Sequence, residues 1–83
     1  MRKIRVMVYG TGAMGGAMIR LIQQRPALQL VGAVDWDKKK IGRDAGEVAG
    51  LGKKLGVPVS YPPEPLLEQV QADVALLATT AFL

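Results

Sequence analysis

Gly10, Gly12 and Gly15 stand at the spacing of a turn that cradles phosphate, in the run Gly10-Thr11-Gly12-Ala13-Met14-Gly15. Gly10 permits a sharp turn out of a preceding strand. Gly12 carries no Cβ, so a pyrophosphate can approach the backbone closely, and Gly15 lets the following helix pack tightly on that strand. The amides of the first helical turn have no intrahelical partner, and the helix dipole adds to their pull on an anion. The backbone of Thr11 to Met14 is the expected pyrophosphate cradle. In a chain with ten glycines the same run also reads as a structural turn, and only its context separates the two. Asp35 lies twenty residues beyond Gly15, a spacing that suits an acid accepting hydrogen bonds from a ribose. The alternative for Asp35 is a cap of the loop that follows it. Trp36 either covers an adenine face or packs on that loop.

The elements that position these residues follow from the apolar pattern. Ile4 to Tyr9 is apolar nearly throughout, as a strand covered on both faces should be. A helix is expected from about Met14 to Gln24, with Met14, Ala17, Met18, Leu21 and Ile22 as its apolar stripe. Pro26 closes it. Leu28 to Val34 is the second strand, with Gly32 its weak point, and a strand, helix and strand in succession imply a parallel pair. Five glycines mark Ile41 to Gly56, where one short helical turn is expected over about Asp44 to Ala49. Asp44 and Glu47 there resemble a capping box. Gly52-Lys53-Lys54 lacks the Ser or Thr of a P-loop. Val57 to Ser60 is a short third strand, Pro63 to Val70 a helix opened by proline, and Val74 to Ala78 a fourth strand expected to be buried on both faces. The expected fold is α/β: a Rossmann-type parallel sheet of strand order 3-2-1-4, with its switch point between the first and fourth strands. Ala78, Thr79 and Thr80, at the end of the fourth strand, fall where a dinucleotide would cross the sheet towards its nicotinamide half.

Composition narrows the function classes. The 83 residues make one small domain at most, and 49% hydrophobic with 22% charged residues indicates a globular chain. Such a domain buries only roughly 60–65% of its unfolded surface. An open fourth strand is a liability that complete domains cover, so the expectation is an incomplete dinucleotide-binding domain with its substrate domain absent. Cysteine and histidine are both missing, which excludes disulfides, thiolate metal sites and the commonest general base. Ile4 to Tyr9 is too short for a signal core and no run approaches a membrane span, so a cytoplasmic protein without membrane contact is expected. The net charge of +4 fits solvated surface or a field that attracts a phosphorylated cofactor. A nucleic-acid partner is not expected, because stacking aromatics do not accompany the basic residues. Lys38, Lys39, Lys40 and Arg43 offer a phosphate partner or form a solvated loop.

Taken together, Gly10 to Gly15, Val31-Gly32-Ala33-Val34-Asp35, the segment Gly42 to Gly50 containing Asp44-Ala45-Gly46-Glu47, Gly56-Val57-Pro58-Val59 and Asp73 to Thr80 resemble the N-terminal domain of the dihydrodipicolinate reductase family. The resemblance spans nearly the whole chain. The glycine turn is one residue shorter than the reductases tend to have and looks more like that of the amine dehydrogenase relatives, in particular 2,4-diaminopentanoate dehydrogenase. The resemblance implies an oxidoreductase that uses NAD or NADP on a small amine or amino-acid-derived substrate and releases ammonia. A homo-oligomer is expected separately, from the open edge of the fourth strand, which another copy would cover. Dihydrodipicolinate reduction and a non-catalytic nucleotide-sensing module are the alternatives. The resemblance carries no catalytic residues into this chain, since in both branches they follow the matched region. On the Asp35 carboxylate, NAD is expected to be preferred and NADP tolerated.

Overall fold

A computed structural model describes residues 2–78. Its elements are β1 (Ile4–Tyr9), α1 (Ala13–Gln24), β2 (Leu28–Val34), α2 (Ala45–Val48), β3 (Val59–Ser60), α3 (Pro63–Gln69) and β4 (Val74–Leu77). The four strands are parallel and ordered β3-β2-β1-β4, as the apolar runs and intervening helices imply. Alternate residues of a strand point to opposite faces, and β1 splits its side chains accordingly. Val6 and Val8 join Ile19 and Ile22 of α1 and Ala45 of α2 on one face. Met7 packs with Val34 and with Leu66 of α3 on the other.

The pairing of β1 with β2 slips at Val6/Met7: Val6 faces Leu30, and Met7 faces Gly32, so Val31 is an extra residue. This bulge changes which face the end of β2 presents. Leu30 belongs to the α1 side, and two-residue alternation would put Gly32 there too, yet a Cβ on Gly32 would meet Met7 and Leu66 on the α3 side. Gly32 is therefore the residue that admits Met7, not a weak point. The bulge fixes the direction in which β2 delivers Val34 and Asp35.

Three expectations need correction. The buried stripe of α1 is Gly15, Gly16, Ile19 and Ile22, while Met14 and Leu21 are exposed. Gly15 brings the helix backbone against Gly10 at the end of β1, and Gly16 turns towards Ala49 at the end of α2. A search for large apolar side chains cannot recognise glycine as the contact. β4 is not buried on both faces: it pairs with β1 alone among the described residues, and Val74 and Leu77 are exposed. β3 is shorter than expected, since Asp44 takes the amides of Gly56 and Val57. Pro58, which has no N–H, makes only an isolated antiparallel bridge to Asp44.

Asp44 does more than cap α2. Its Oδ2 accepts from the amides of Gly46 (2.8 Å) and Leu55 (2.7 Å), and its Oδ1 from those of Gly56 (2.8 Å) and Val57 (3.1 Å). One carboxylate thus ties the glycine-rich loop to the start of α2. Burial raises the Asp44 pKa, but the four amides outweigh it and hold the carboxyl below its ordinary range. No helix among the described residues is long and apolar enough to cross a membrane.

Candidate functional site

The carboxyl ends of β1 and β2 and the N-terminus of α1 meet in a cleft of about 290 Å³. β1 leaves the sheet at Gly10, whose φ of 92° is the left-handed conformation that glycine alone adopts without strain. Its amide still donates to Val34 O at 2.7 Å. Gly12 caps α1 in an extended conformation (φ −73°, ψ −151°), and a Cβ built there meets nothing within 4 Å. Gly15 is the opposite case, because a Cβ would run into the Gly10 carbonyl. One glycine keeps space open and the other removes it, as their places in the motif imply.

The amides of Gly12, Ala13 and Met14 make no hydrogen bond to any described residue. They are unpaired donors at the start of a twelve-residue helix, the arrangement that receives an anion. Thr11 does not belong with them. It is buried, its amide donates to Asp35 Oδ2 at 2.8 Å, and its hydroxyl donates to the same oxygen at 2.7 Å. The expected cradle of Thr11 to Met14 is therefore reduced to Gly12 to Met14.

Asp35 occupies the wall of the cleft facing this turn. Its Oδ1 accepts from the Asp37 amide at 2.9 Å, and Lys40 Nζ lies 3.8 Å from Oδ2. Asp35 caps the following loop through the Asp37 amide and also borders the cleft, the position from which the expected ribose contact would be made. Burial alone would raise its pKa. The Asp37 amide, the Thr11 hydroxyl and amide and the Lys40 charge outweigh burial and keep the carboxyl below its ordinary range. It is an ionised acceptor with lone-pair capacity left on Oδ1.

Trp36 and Ala78 also border the cleft, so of the sequence-derived candidates Gly10, Gly12, Ala13, Met14, Asp35, Trp36 and Ala78 assemble in one place, while Thr11 is buried and does not line it and Gly15 packs behind the turn. Thr79 and Thr80 lie outside the described residues. Of the four basic residues weighed as phosphate partners, Lys40 alone borders the cleft, whereas Arg43 lies at a separate surface groove with Lys53 and Lys54. Beside the cleft, a second groove of about 320 Å³ runs between Trp36, Tyr9, Tyr61 and Glu64 and shares Asp35 with it. Sequence reading passed over Tyr61. Its signal was its position directly after β3, because in a parallel sheet the residues just past the strand ends border the binding crevice.

These residues fit a dinucleotide: open space over Gly12, three unpaired amides for a pyrophosphate, and an ionised acceptor for a ribose. Among the described residues no cluster of His, Cys, Asp or Glu could hold a metal ion. Such a site can bind and orient a ligand.

Similarity to known proteins agrees with this arrangement. Residues 4–81 match the family model described as dihydrodipicolinate reductase, N-terminus. The 4-hydroxy-tetrahydrodipicolinate reductase of Nostoc punctiforme is 44% identical over 71 residues, which cover 84% of this chain and 26% of that protein. An amine dehydrogenase of Streptomyces virginiae is 44% identical over 54 residues, 65% of this chain and 15% of that protein. The solved structure of an amine dehydrogenase from Mycobacterium smegmatis superposes with a TM-score of 0.81 at 40% identity, over 87% of this chain and 21% of that one. The chain spans about a quarter of the length of the curated reductases it matches. The parallel sheet of order 3-2-1-4, the glycine turn that opens α1 and the match over residues 4–81 lead to one conclusion: this chain belongs to the dihydrodipicolinate reductase N-terminal family.

Proposed function

We propose that this chain is the NAD(P)-binding part of an oxidoreductase that reduces a dihydrodipicolinate-type substrate, the substrate-binding residues being supplied elsewhere in the protein. The observation that carries the dinucleotide is the pairing of open space over Gly12 with unpaired amides on Gly12, Ala13 and Met14. In this reading those amides hold the pyrophosphate, Asp35 accepts from the adenosine ribose, and Ala78 borders the path towards the nicotinamide half. When bound, the nicotinamide supplies or accepts the hydride. The chain's own work is to fix the cofactor's position and to exclude alternatives at the ribose.

The reductase reading is placed ahead of amine oxidation because reductases of several organisms match 84% of the chain at 41–44% identity, whereas the Streptomyces amine dehydrogenase matches 65%. Amine oxidation remains the second reading. It is favoured by the compact glycine turn and by the likeness to the solved amine dehydrogenase. Ionised Asp35 favours NAD, since a 2′-phosphate would sit against its charge, while Lys40 at 3.8 Å moderates the repulsion.

Titration of the complete protein with NAD⁺ and NADP⁺ tests the cofactor assignment, and a tenfold preference for NADP⁺, about 1.4 kcal/mol, would overturn it. Turnover decides between the branches. Oxidation of the reduced cofactor by 4-hydroxy-tetrahydrodipicolinate supports the first, and ammonia release from an amine with NAD(P)⁺ reduction supports the second.

A further inference from the structure

We infer that Thr11 is the residue that sets cofactor selectivity, acting through Asp35 and not through the pyrophosphate. The inference rests on the dinucleotide reading above and adds a role that the glycine motif does not assign to its second position. Among the described residues Thr11 is the one buried polar side chain, at 3% exposure. Both of its donors converge on a single atom, Asp35 Oδ2, at 2.8 Å from the amide and 2.7 Å from the hydroxyl.

The geometry has two consequences. First, any residue but proline would supply the amide, but the hydroxyl donor requires Thr or Ser here. The side chain therefore adds a bond that the fold of the turn does not itself provide. Second, Oδ2 is occupied from the turn side while Oδ1 carries only the Asp37 amide, so the carboxylate presents Oδ1 to a ribose in a fixed orientation. A carboxylate pinned there accepts from 2′- and 3′-hydroxyls and cannot swing away from a 2′-phosphate. Without the hydroxyl, Oδ2 keeps the residue-11 amide and Lys40 at 3.8 Å, and Oδ1 keeps the Asp37 amide, but the carboxylate loses its one side-chain donor from the turn and is held less firmly. A less firmly held carboxylate yields more readily to the 2′-phosphate of NADP and grips the ribose of NAD less well. Thr11 is in this sense a positioning residue.

The test measures dissociation constants of the complete protein for NAD⁺, NADP⁺ and nicotinamide mononucleotide in the parent, Thr11→Val, Thr11→Ala and Thr11→Ser. Hydrogen bonds to a charged group are strong enough that losing one is expected to lower the NAD⁺:NADP⁺ preference by threefold to tenfold in the Val and Ala variants. Thr11→Ser should keep the parental ratio, and nicotinamide mononucleotide affinity should be unchanged throughout. A ratio that stays within twofold in a folded Val or Ala variant overturns the inference, as does an equal loss of affinity for both dinucleotides. Failure of both hydroxyl-free variants to fold would also overturn it, by assigning the hydroxyl to stability. A parent protein that binds neither dinucleotide refutes the underlying reading instead, a result distinct from an unmoved ratio.

Discussion

Gly12→Val separates binding from folding at the position where the two are easiest to confuse. Gly12 has φ −73° and ψ −151°, an extended conformation open to β-branched residues. A Cβ there meets nothing within 4 Å, so the substitution introduces no clash. Its cost to the fold is that of a poor helix cap, about 1 kcal/mol, which lowers the melting temperature of a domain this size by roughly 4–8 °C. Binding is affected far more. The new Cβ and its two methyls fill the space in front of the unpaired amides of Gly12, Ala13 and Met14, which a pyrophosphate must reach. Hydrogen bonds to a charged group contribute about 1.5–3 kcal/mol each. Losing two of three removes roughly 3–6 kcal/mol, a loss in affinity of at least about a hundredfold. Isothermal titration with NAD⁺ and NADP⁺, beside circular dichroism of the same sample, measures both effects. A folded Gly12→Val protein that binds either dinucleotide within threefold of the parent would falsify the phosphate-cradle reading.

Two further substitutions test the frame around the cleft. Gly15→Ala should act on stability, because its methyl meets the Gly10 carbonyl and would also lie 3.5 Å from Ala78 Cβ; overpacking of this kind costs about 1–3 kcal/mol, and an unchanged denaturation midpoint would contradict the close helix–strand contact. Asp44→Asn leaves four converging amides facing a group with one acceptor oxygen, at a cost of about 1–3 kcal/mol. Because folding lowers the Asp44 pKa, its carboxylate stabilises the fold above the ordinary aspartate range, and that contribution is lost as pH falls through the range and below it. Asp35 carries a shift of the same sign. Stability measured by denaturant from pH 7 down to pH 3 should therefore fall less steeply in Asp44→Asn than in the parent; parallel curves would rule out the four-amide clamp.

The glycine turn, the strand order and the position of Asp35 were legible in the sequence for a physical reason. Each depends on local properties: an apolar run long enough for one strand, a glycine where φ must be positive, proline where a helix must open or close. β1 and β2 fall where their apolar runs lie, α1 starts one residue before the expected point, and Gly10 adopts the positive φ that the turn requires. Family membership followed from the same runs read together with Asp44-Ala45-Gly46-Glu47.

What remained for the tertiary structure depends on two segments meeting. The Val31 bulge arises from the match of β1 to β2 and cannot be seen in either strand alone, although it determines where Asp35 points. The buried stripe of α1 runs through Gly15 and Gly16 because Gly10 at the end of β1 and Ala49 at the end of α2 lie close to the helix backbone, and hydropathy assigns glycine no such role. Asp44 reads locally as a helix cap, and only the folded loop brings the amides of Leu55, Gly56 and Val57 to it from more than ten residues away. Thr11 reads as one more backbone donor for phosphate until Asp35, 24 residues later in the chain, is found to hold both of its donors. Sequence determined which groups reach the carboxyl end of the sheet, since that is fixed by where strands stop. Tertiary structure decided which of those groups are already engaged with one another, and so which remain available for a ligand.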